Sequence, residues 1–275
     1  MPGDEDLGYY SQHGEDILLA KVFEGVKDGY FVELGGLDGI RLSNSYRFEL
    51  QGWKGLIVEA HPILFEKMRR NRPGSTCVSA AVTGQTGKVI LYASAFGSLS
   101  TIDRTQRDYF VRARSEVTKD SYEEVEVRAA GTTELLEEAR APGDIAFMSI
   151  DLEGAELVAL QSLDFNRYNV RIFVLESDRK QQEQEKRISD LMLSKSYRIA
   201  RTIGVNNFWV REAELFESIR QMAFSGTVTH FGRSDGDEPV YTRVNFSAGE
   251  NSGKRSFATR LRQSVTKRYR RISGR

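Results

Sequence analysis

Apolar runs with the length of β-strands alternate with helical patterns along most of the sequence, and this alternation limits the available folds more than any other feature. We predict strands at about 30–35, 55–60, 76–82, 145–151, 170–176, 197–203 and 207–211. We predict helices near 12–25, 43–51, 62–71, 132–140, 154–163, 180–195 and 213–222. Strands separated by helices form parallel sheets that are covered on both faces. We therefore expect an α/β fold with a mostly parallel, seven-stranded sheet.

One region interrupts this alternation. Residues 87–93 and 123–129 are predicted to form an additional pair of strands. The polar stretch between them, near 95–125, is longer than an ordinary connection, and loops of this length often act as lids or binding loops. We expect one domain over residues 1–224, with an N-terminal helix and this lid-like insertion, followed by a C-terminal extension over residues 225–275.

Charge is unevenly distributed along the chain, although the formal net charge is zero. Residues 254–275 contain nine Lys or Arg residues and no acidic residue, which leaves 30 basic against 39 acidic residues in the rest of the chain. An acidic body lacks the basic face that neutralises phosphates, so nucleic acid is not expected as a partner of the main domain.

The basic C-terminal tail carries apolar residues at helical spacing, namely Phe257, Leu261, Val265 and Ile272. This pattern is typical of a helix that lies on a membrane surface, and a disordered basic end explains it equally well. No apolar run approaches the roughly 18 residues of a membrane span, and the N-terminus has no signal-peptide pattern. We expect a cytoplasmic protein, with peripheral membrane contact through the tail as a further expectation.

The first predicted strand ends in glycines flanked by the acidic residues Glu33 and Asp38. In a doubly wound sheet, ligands bind outside the carboxyl ends of such strands. The glycine pattern is not GxGxxG, and two carboxylates repel a pyrophosphate but suit a cofactor with an ammonium and a sulfonium. A purely structural turn explains the glycines equally well.

The next two strands strengthen the interpretation of a nucleoside-containing cofactor. Glu59 ends the second strand 20 residues after Gly39, where an acid can accept hydrogen bonds from both ribose hydroxyls. The alternative is that Glu59 is only a solvated strand end. The third strand ends in small apolar residues around Ala81, which fit the flank of an adenine ring.

An ordered series of motifs between about residue 9 and residue 211 resembles the FkbM-type family of methyltransferases. The motifs are Ser11-Gln12-His13-Gly14-Glu15-Asp16, Phe31-Val32-Glu33-Leu34-Gly35-Gly36-Leu37-Asp38-Gly39, Ser43-Asn44-Ser45, Phe48-Glu49, Gly52-Trp53-Lys54-Gly55, Glu59-Ala60-His61-Pro62, Asn71-Arg72-Pro73, Ala81-Val82 and Ser149-Ile150-Asp151-Leu152-Glu153-Gly154-Ala155-Glu156. The departures are mild: Gly36, Ser45 and Leu152 stand where alanine, threonine and valine are common. None of them removes a functional group.

The resemblance implies a Rossmann-like class I methyltransferase fold and O-methylation with S-adenosyl-L-methionine. The acceptor would often be a sugar hydroxyl of a glycolipid, a polysaccharide or a glycosylated natural product. By position, the resemblance places cofactor contacts at Glu33, Gly35, Asp38, Asn44, Glu59 and Ala81. It places Asp151 at the reacting centre.

Acidic residues also follow the fourth and fifth strands. Asp151 and Glu153 follow one strand, and Glu176 and Asp178 follow the next. A hydroxyl becomes a good nucleophile when a base removes its proton or a metal lowers its pKa. We therefore expect catalytic roles for Asp151, Glu153 and Glu176, and a Mg²⁺ site at Asp151, Glu176 and Asp178. For Glu153 and Asp178, helix capping or a solvated loop charge is the alternative.

Two other functions are compatible with an α/β sheet. An NAD(P)-dependent oxidoreductase is disfavoured by the missing GxGxxG pattern and by Glu33. A non-catalytic partner of a glycosyltransferase is disfavoured because Asp38, Glu59 and Asp151 are all present. An S-adenosylmethionine-dependent methyltransferase is the hypothesis that accounts for most of the acidic strand ends.

Overall fold

Strands and helices alternate along the chain in a computed structural model, which describes residues 8–95, 97–114, 122–177, 181–222, 226–230 and 242–246. The strands are β1 (Tyr30–Leu34), β2 (Lys54–Glu59), β3 (Thr76–Ser79), β4 (Ala81–Val82), β5 (Gly87–Ser94), β6 (Tyr122–Ala130), β7 (Asp144–Ile150), β8 (Asn169–Glu176), β9 (Arg198–Ile203), β10 (Asn206–Val210), β11 (Gly226–His230) and β12 (Thr242–Phe246). The helices are α1 (Glu15–Val22), α2 (Tyr46–Leu50), α3 (Pro62–Asn71), α4 (Arg104–Arg114), α5 (Thr132–Glu138), α6 (Glu156–Gln161), α7 (Gln182–Ser194) and α8 (Ala213–Gln221).

The main sheet has seven strands in the order β3-β2-β1-β7-β8-β10-β9. Neighbouring strands are parallel except that β10 is antiparallel to both β8 and β9. The strand order reverses between β1 and β7, and ligands of doubly wound sheets bind at such a switch point. The predicted mostly parallel, seven-stranded sheet is confirmed.

Alternate residues of the central strands face opposite sides of this sheet, as the two-residue period of a strand requires. Phe31 and Phe147 face one side, where their rings stack with centroids 6.0 Å apart. Val32 and Met148 face the other side. Helices α1, α2, α3 and α8 pack on the Phe31 side, and α5, α6 and α7 pack on the Val32 side. The predicted covering of both faces by helices is therefore confirmed.

A second sheet of three strands, in the order β4-β6-β5, stands beside the first. Strands β5 and β6 are antiparallel, which confirms the predicted additional pair. The prediction of one strand over 76–82 is wrong at its end. Strand β3 stops at Ser79, the Ala80 N–H still donates to the Glu59 carbonyl oxygen of β2, and Ala81 pairs with Ala129 of the second sheet. The chain therefore passes from one sheet to the other at Ala80.

The insertion between β5 and β6 contains a helix rather than only a loop. Helix α4 occupies 104–114, while the rest of the polar stretch, at 115–121, lies outside the described residues. The predicted tail over 254–275 also lies outside them, and the domain boundary at residue 224 stays a prediction. None of the helices in the described ranges has the length and apolar character needed to cross a lipid bilayer.

A fully buried arginine connects the loops that follow β1 and α3. The Arg72 guanidinium donates to the Gly39 carbonyl oxygen at 2.8 Å and to Ser45 Oγ at 2.9 Å. It also forms ion pairs with Glu49 at 2.8 Å and with Glu33 at 3.6 Å. Because water does not reach this guanidinium, its two carboxylate partners depend on it for charge compensation.

We predict that Arg72→Met lowers the free energy of unfolding by about 3–5 kcal/mol, because it leaves Glu33 and Glu49 as buried charges without their cation. Denaturant unfolding of the purified variant measures this loss. Arg69→Ala is the matched control, since Arg69 forms a solvent-exposed pair with Glu66 on α3 and its removal costs less than about 1 kcal/mol. Equal losses for the two variants would contradict the role given to Arg72.

Candidate functional site

A cavity of about 200 Å³ opens where the carboxyl ends of β1, β2, β7 and β8 meet. Side chains and backbone from all four strand ends line it, together with the chain that enters the insertion. Its wall includes Gln12, Gly35, Leu37, Glu59, Ala81, Ser98, Leu99, Asp151, Glu153 and Glu176. The cavity lies at the switch point of the sheet, where the sequence predicts a ligand site.

Glycine is required at the end of β1 because the chain there touches the end of β7. The Asp151 N–H donates to the Leu34 carbonyl oxygen at 3.0 Å, and the Gly35 N–H donates to the Val58 carbonyl oxygen at 2.9 Å. Gly35 has a φ of +92°, and a Cβ placed on it would lie 1.9 Å from the Asp151 carbonyl oxygen. Any other residue would push β1 and β7 apart at the cavity.

Glu59 is held in place by the backbone around it and is only 6% exposed. One carboxylate oxygen accepts the Leu37 N–H at 2.8 Å, and the other accepts the His61 N–H at 2.7 Å. Burial raises the pKa of Glu59 to about 7, although these backbone hydrogen bonds oppose the shift. Since each carboxylate oxygen has two lone pairs, Glu59 can still accept further hydrogen bonds from the cavity.

Three carboxylates converge on the opposite wall of the cavity. Oxygen atoms of Asp151, Glu153 and Glu176 all lie within 4.8 Å of one another. The negative charge of Asp151 is the main cause that raises the pKa of Glu176 to about 10, and desolvation adds to it. The protein atoms around Asp151 raise its pKa as well, although its side chain is exposed at the cavity. The raised pKa values of Asp151 and Glu176, together with the hydrogen bond between their side chains, indicate that the two carboxyl groups share a proton.

The loop that carries these acids has an uncommon backbone conformation. Glu153 has a φ of +49° and is followed by Gly154 with a φ of +109°. The carboxylate of Glu156 stabilises the loop by accepting hydrogen bonds from the N–H groups of Leu152 at 2.9 Å and Gly154 at 3.2 Å. Left-handed conformations of residues other than glycine cluster at functional sites, where surrounding contacts hold them.

The same acids offer oxygen ligands to a metal ion. Asp151, Glu153 and Glu176 are close enough together to bind one cation, and carboxylate oxygens suit Mg²⁺. Two of the predicted ligands, Asp151 and Glu176, belong to this group. The third, Asp178, lies outside the described residues, and the metal site stays a prediction.

The structure brings only some of the predicted cofactor residues to the cavity. Gly35, Glu59 and Ala81 line it, whereas Glu33, Asp38 and Asn44 are not in its wall. Like Phe31 two residues earlier, Glu33 faces the helical layer, where it accepts hydrogen bonds from Ser43 Oγ, the Asn44 N–H and Ser45 Oγ at 2.6–2.8 Å. A strand residue two positions from a core aromatic shares its face, and the cofactor contact of Glu33 stays a prediction.

Asp38 and Asn44 support the loop behind the cavity. Asp38 closes a turn by accepting the N–H groups of Ile40 at 3.0 Å and Arg41 at 2.8 Å. The Asn44 side-chain amide donates to Ser149 Oγ at 2.8 Å and so ties this loop to β7. Both residues therefore shape the cavity indirectly.

A second cavity of about 480 Å³ adjoins the first, and sequence reasoning did not predict it. The two cavities share Gln12, Leu99, Glu153 and Glu176 in their walls. The second wall also includes Gln106, Tyr109 and Phe110 of α4 and Gln184 of α7. The only signal in the sequence was the length of the polar insertion.

Fold and site together define a Rossmann-like α/β protein with an acidic cavity at the switch point of its sheet. The profile of the methyltransferase FkbM domain matches residues 33–222 of this chain. The chain therefore belongs to the FkbM methyltransferase family, and its sheet is the class I methyltransferase fold that the motifs predicted. A search of curated protein sequences found no match.

Three solved structures with a similar course of the chain are distant from it in sequence. A TehB-like SAM-dependent methyltransferase from Corynebacterium glutamicum has a TM-score of 0.38 and 10% identity, covering 73% of this chain and 88% of its own. Precorrin-6y C5,15-methyltransferase from Geobacter metallireducens has a TM-score of 0.38 and 11% identity, covering 75% of this chain and 94% of its own. Aeropyrum pernix fibrillarin, with natively bound S-adenosyl-L-methionine, has a TM-score of 0.34 and 10% identity, covering 72% of this chain and 73% of its own. The family assignment depends on the sequence match alone.

We predict that Gly35→Ala is far more destabilising than Gly52→Ala, although both glycines have a φ of +92°. The backbone strain is then the same, about 1–2 kcal/mol, but a Cβ at position 52 meets no atom within 4 Å. In Gly35→Ala, the collision of the new Cβ with Asp151 should increase the loss of unfolding free energy by roughly 1–3 kcal/mol. Denaturant midpoints of the two variants measure the difference, and equal midpoints would mean that β1 and β7 do not touch here.

Proposed function

We propose that this protein is an S-adenosylmethionine-dependent O-methyltransferase that methylates a hydroxyl of a carbohydrate-type acceptor. Membership of the FkbM methyltransferase family supports the reaction class. The observation that carries the proposal is the pair of carboxyl groups of Asp151 and Glu176, whose oxygen atoms lie within 4.8 Å of each other in the wall of a cavity at the switch point. This pair offers a negatively charged proton acceptor where a hydroxyl would have to be activated.

The first cavity fits the proposed cofactor by the chemistry of its wall. Glu59 offers lone pairs to ribose hydroxyls, and small apolar residues such as Ala81 and Val82 can flank an aromatic ring. Among the described residues, its wall contains Asp151, Glu153 and Glu176 but no Lys, Arg or His. Such a wall favours a positively charged ligand and disfavours the pyrophosphate of NAD.

When bound, S-adenosylmethionine supplies a methyl group on a positively charged sulfur. The chain itself has to hold the acceptor oxygen in line with that methyl group and take up its proton. Asp151 is the proposed proton acceptor because it follows β7 with its side chain exposed at the cavity, whereas Glu176 is half-buried. Glu176, whose pKa is raised to about 10, is proposed to hold the shared proton and to position the Asp151 carboxylate through their hydrogen bond. Glu153 adds a third carboxylate beside them.

Ligand-induced stabilisation tests the cofactor. We expect S-adenosylmethionine and S-adenosylhomocysteine to raise the melting temperature and NAD to leave it unchanged. A ligand at about 100 times its Kd stabilises by about 2.7 kcal/mol, which corresponds to roughly 5–10 °C for a domain of this size. A shift with NAD and none with either sulfur compound would overturn the proposal in favour of an oxidoreductase.

We predict that Asp151→Asn lowers turnover by about 10²–10⁴, the usual contribution of a positioned proton acceptor, while cofactor affinity changes little. Glu176→Gln is the matched control, because its amide imitates a protonated carboxyl group and can still donate to Asp151. Its turnover near pH 7 should stay within about tenfold of the wild type, since a neutral hydrogen bond contributes about 1 kcal/mol. Label transfer from methyl-labelled cofactor to acceptors chosen from a panel of glycans and lipid-linked sugars measures both variants. A larger loss for Glu176→Gln than for Asp151→Asn would reverse the roles.

Chelation with EDTA distinguishes the metal role predicted for the same acids from direct proton removal. Loss of activity in EDTA that Mg²⁺ restores would favour a metal bound by Asp151 and Glu176. Indifference to EDTA would favour direct proton removal by Asp151. The cytoplasmic location and the peripheral membrane contact through residues 254–275 are also part of the proposal, and sedimentation with anionic lipid vesicles tests the latter.

A further inference from the structure

The second cavity lies beside the proposed methyl-transfer centre and is separate from the cofactor cavity. Glu153 and Glu176 belong to both walls, so a molecule in the second cavity reaches the same carboxylates as one in the first. Its volume of about 480 Å³ is within the usual range of small-molecule sites. An acceptor bound there would bring its hydroxyl to Glu153 and Glu176, whose carboxylate oxygens lie within 4.8 Å of that of Asp151.

Specific contacts fasten the insertion onto the rest of the site. Thr101 Oγ1 donates to the Glu153 carbonyl oxygen at 2.9 Å, which joins the start of the insertion to the loop of catalytic acids. Gln106 of α4 is buried against Gly154, where an added Cβ would lie 3.0 Å from Gln106 Cγ. From the other side, Gln184 Nε2 of α7 donates to the Gly154 carbonyl oxygen at 3.2 Å. Helix α4 is thus positioned as a wall of the cavity.

Two adjacent aromatic residues of α4 form the apolar part of this wall. Tyr109 and Phe110 are half-buried, with ring centroids 5.8 Å apart and planes inclined by 61°. The face of an aromatic ring carries partial negative charge and attracts the polarised C–H groups of a sugar ring. Gln12, which lines both cavities, adds an amide that can donate to and accept from hydroxyl groups.

Carboxyl groups dominate the polar part of the wall among the described residues. Glu153, Glu156, Glu176 and Glu185 line the second cavity, and no Lys, Arg or His does so among the described residues. Placing an anion next to these groups brings like charges together wherever they are ionised, which is unfavourable. A phosphate or carboxylate on the reacting ring is therefore disfavoured.

We propose that this second cavity is the acceptor site, that Tyr109 and Phe110 form its stacking platform, and that it takes an uncharged sugar ring and rejects an anionic one. The proposal rests on the proposed methyltransferase function, which it extends by naming the acceptor class and the residues that select it. Helix α4, which lies in the insertion, thereby determines substrate specificity.

Binding by saturation-transfer NMR tests this proposal without needing the natural acceptor. The protein is first saturated with S-adenosylhomocysteine and then titrated with neutral methyl glycosides (gluco, galacto, manno and rhamno) and with methyl glucuronide and methyl galacturonide. At least one neutral glycoside should bind, and each uronide should bind about tenfold or more weakly than its neutral counterpart, equivalent to about 1.4 kcal/mol or more. Phe110→Ala and Tyr109→Ala should each weaken binding of the neutral glycoside by about three- to tenfold.

Val111→Ala is the control, because Val111 is the next residue on α4, is 43% exposed and is not in the wall of the cavity. It should bind the glycosides as the wild type does. The thermal shift with S-adenosylhomocysteine, measured on the same proteins, reports the cofactor separately, so loss of that shift counts against the methyltransferase proposal. With the shift intact, uronides that bind as tightly as neutral glycosides, the absence of glycoside binding, or equal effects of Phe110→Ala and Val111→Ala would overturn the acceptor proposal.

Discussion

The contact between the ends of β1 and β7 is the constraint on which the site depends. Gly35 and Asp151 approach so closely that no side chain fits between them, and hydrogen bonds from each strand end to its neighbour fix this approach. Asp151 consequently leaves the sheet at a defined point and faces the cavity. The position of the proposed proton acceptor is thus set by the absence of a side chain on the adjacent strand.

A buried polar network supports this contact from behind. Arg72 and Glu33 lie on the side of the sheet away from the cavity wall, and their hydrogen bonds hold the segment of residues 39–45. Charged groups are costly in such a place, and they persist when each one is fully paired. Cavity residues such as Glu59 instead keep unused lone pairs. The acidic residues at this end of the sheet therefore differ in role. Glu33 accepts its hydrogen bonds from protein groups outside the cavity wall, whereas Glu59 lines the cavity and can accept further hydrogen bonds from a ligand.

Sequence reasoning predicted the main sheet well because its signals are local. Strands buried on both faces are continuous apolar runs, and the strands of the main sheet other than β3 begin and end within one residue of their predicted bounds. The positions of Glu59, Ala81 and Asp151 followed from the same logic, since strand ends of a parallel sheet meet at one edge. The end of β3 was missed because the passage at Ala80 depends on pairing with β6, which is distant in sequence.

Other features of the site depend on strand alternation and on long-range packing. Glu59 is the last residue of β2, whereas Glu33 is one residue before the end of β1 and lies on the same face as Phe31. The second cavity requires α4, α7 and the N-terminal segment to converge, and such long-range packing leaves no periodic pattern in any one of them. Tyr109 and Phe110 could be noticed in the sequence only as two aromatic residues within a polar stretch.

The passage of the chain from one sheet to the other at Ala80 has a consequence for how such proteins can diversify. The acidic residues of the wall that would contact the cofactor lie at strand ends of the seven-stranded sheet, and Ala81, Val82 and Leu91 of the same wall lie in the smaller sheet. Helix α4 is inserted between two strands of the smaller sheet. Changes in the length or composition of the insertion are absorbed by β5 and β6 and leave the register of β1 with β2 and β7 untouched. Recognition of the second substrate can then change during evolution without rebuilding the machinery that handles the first.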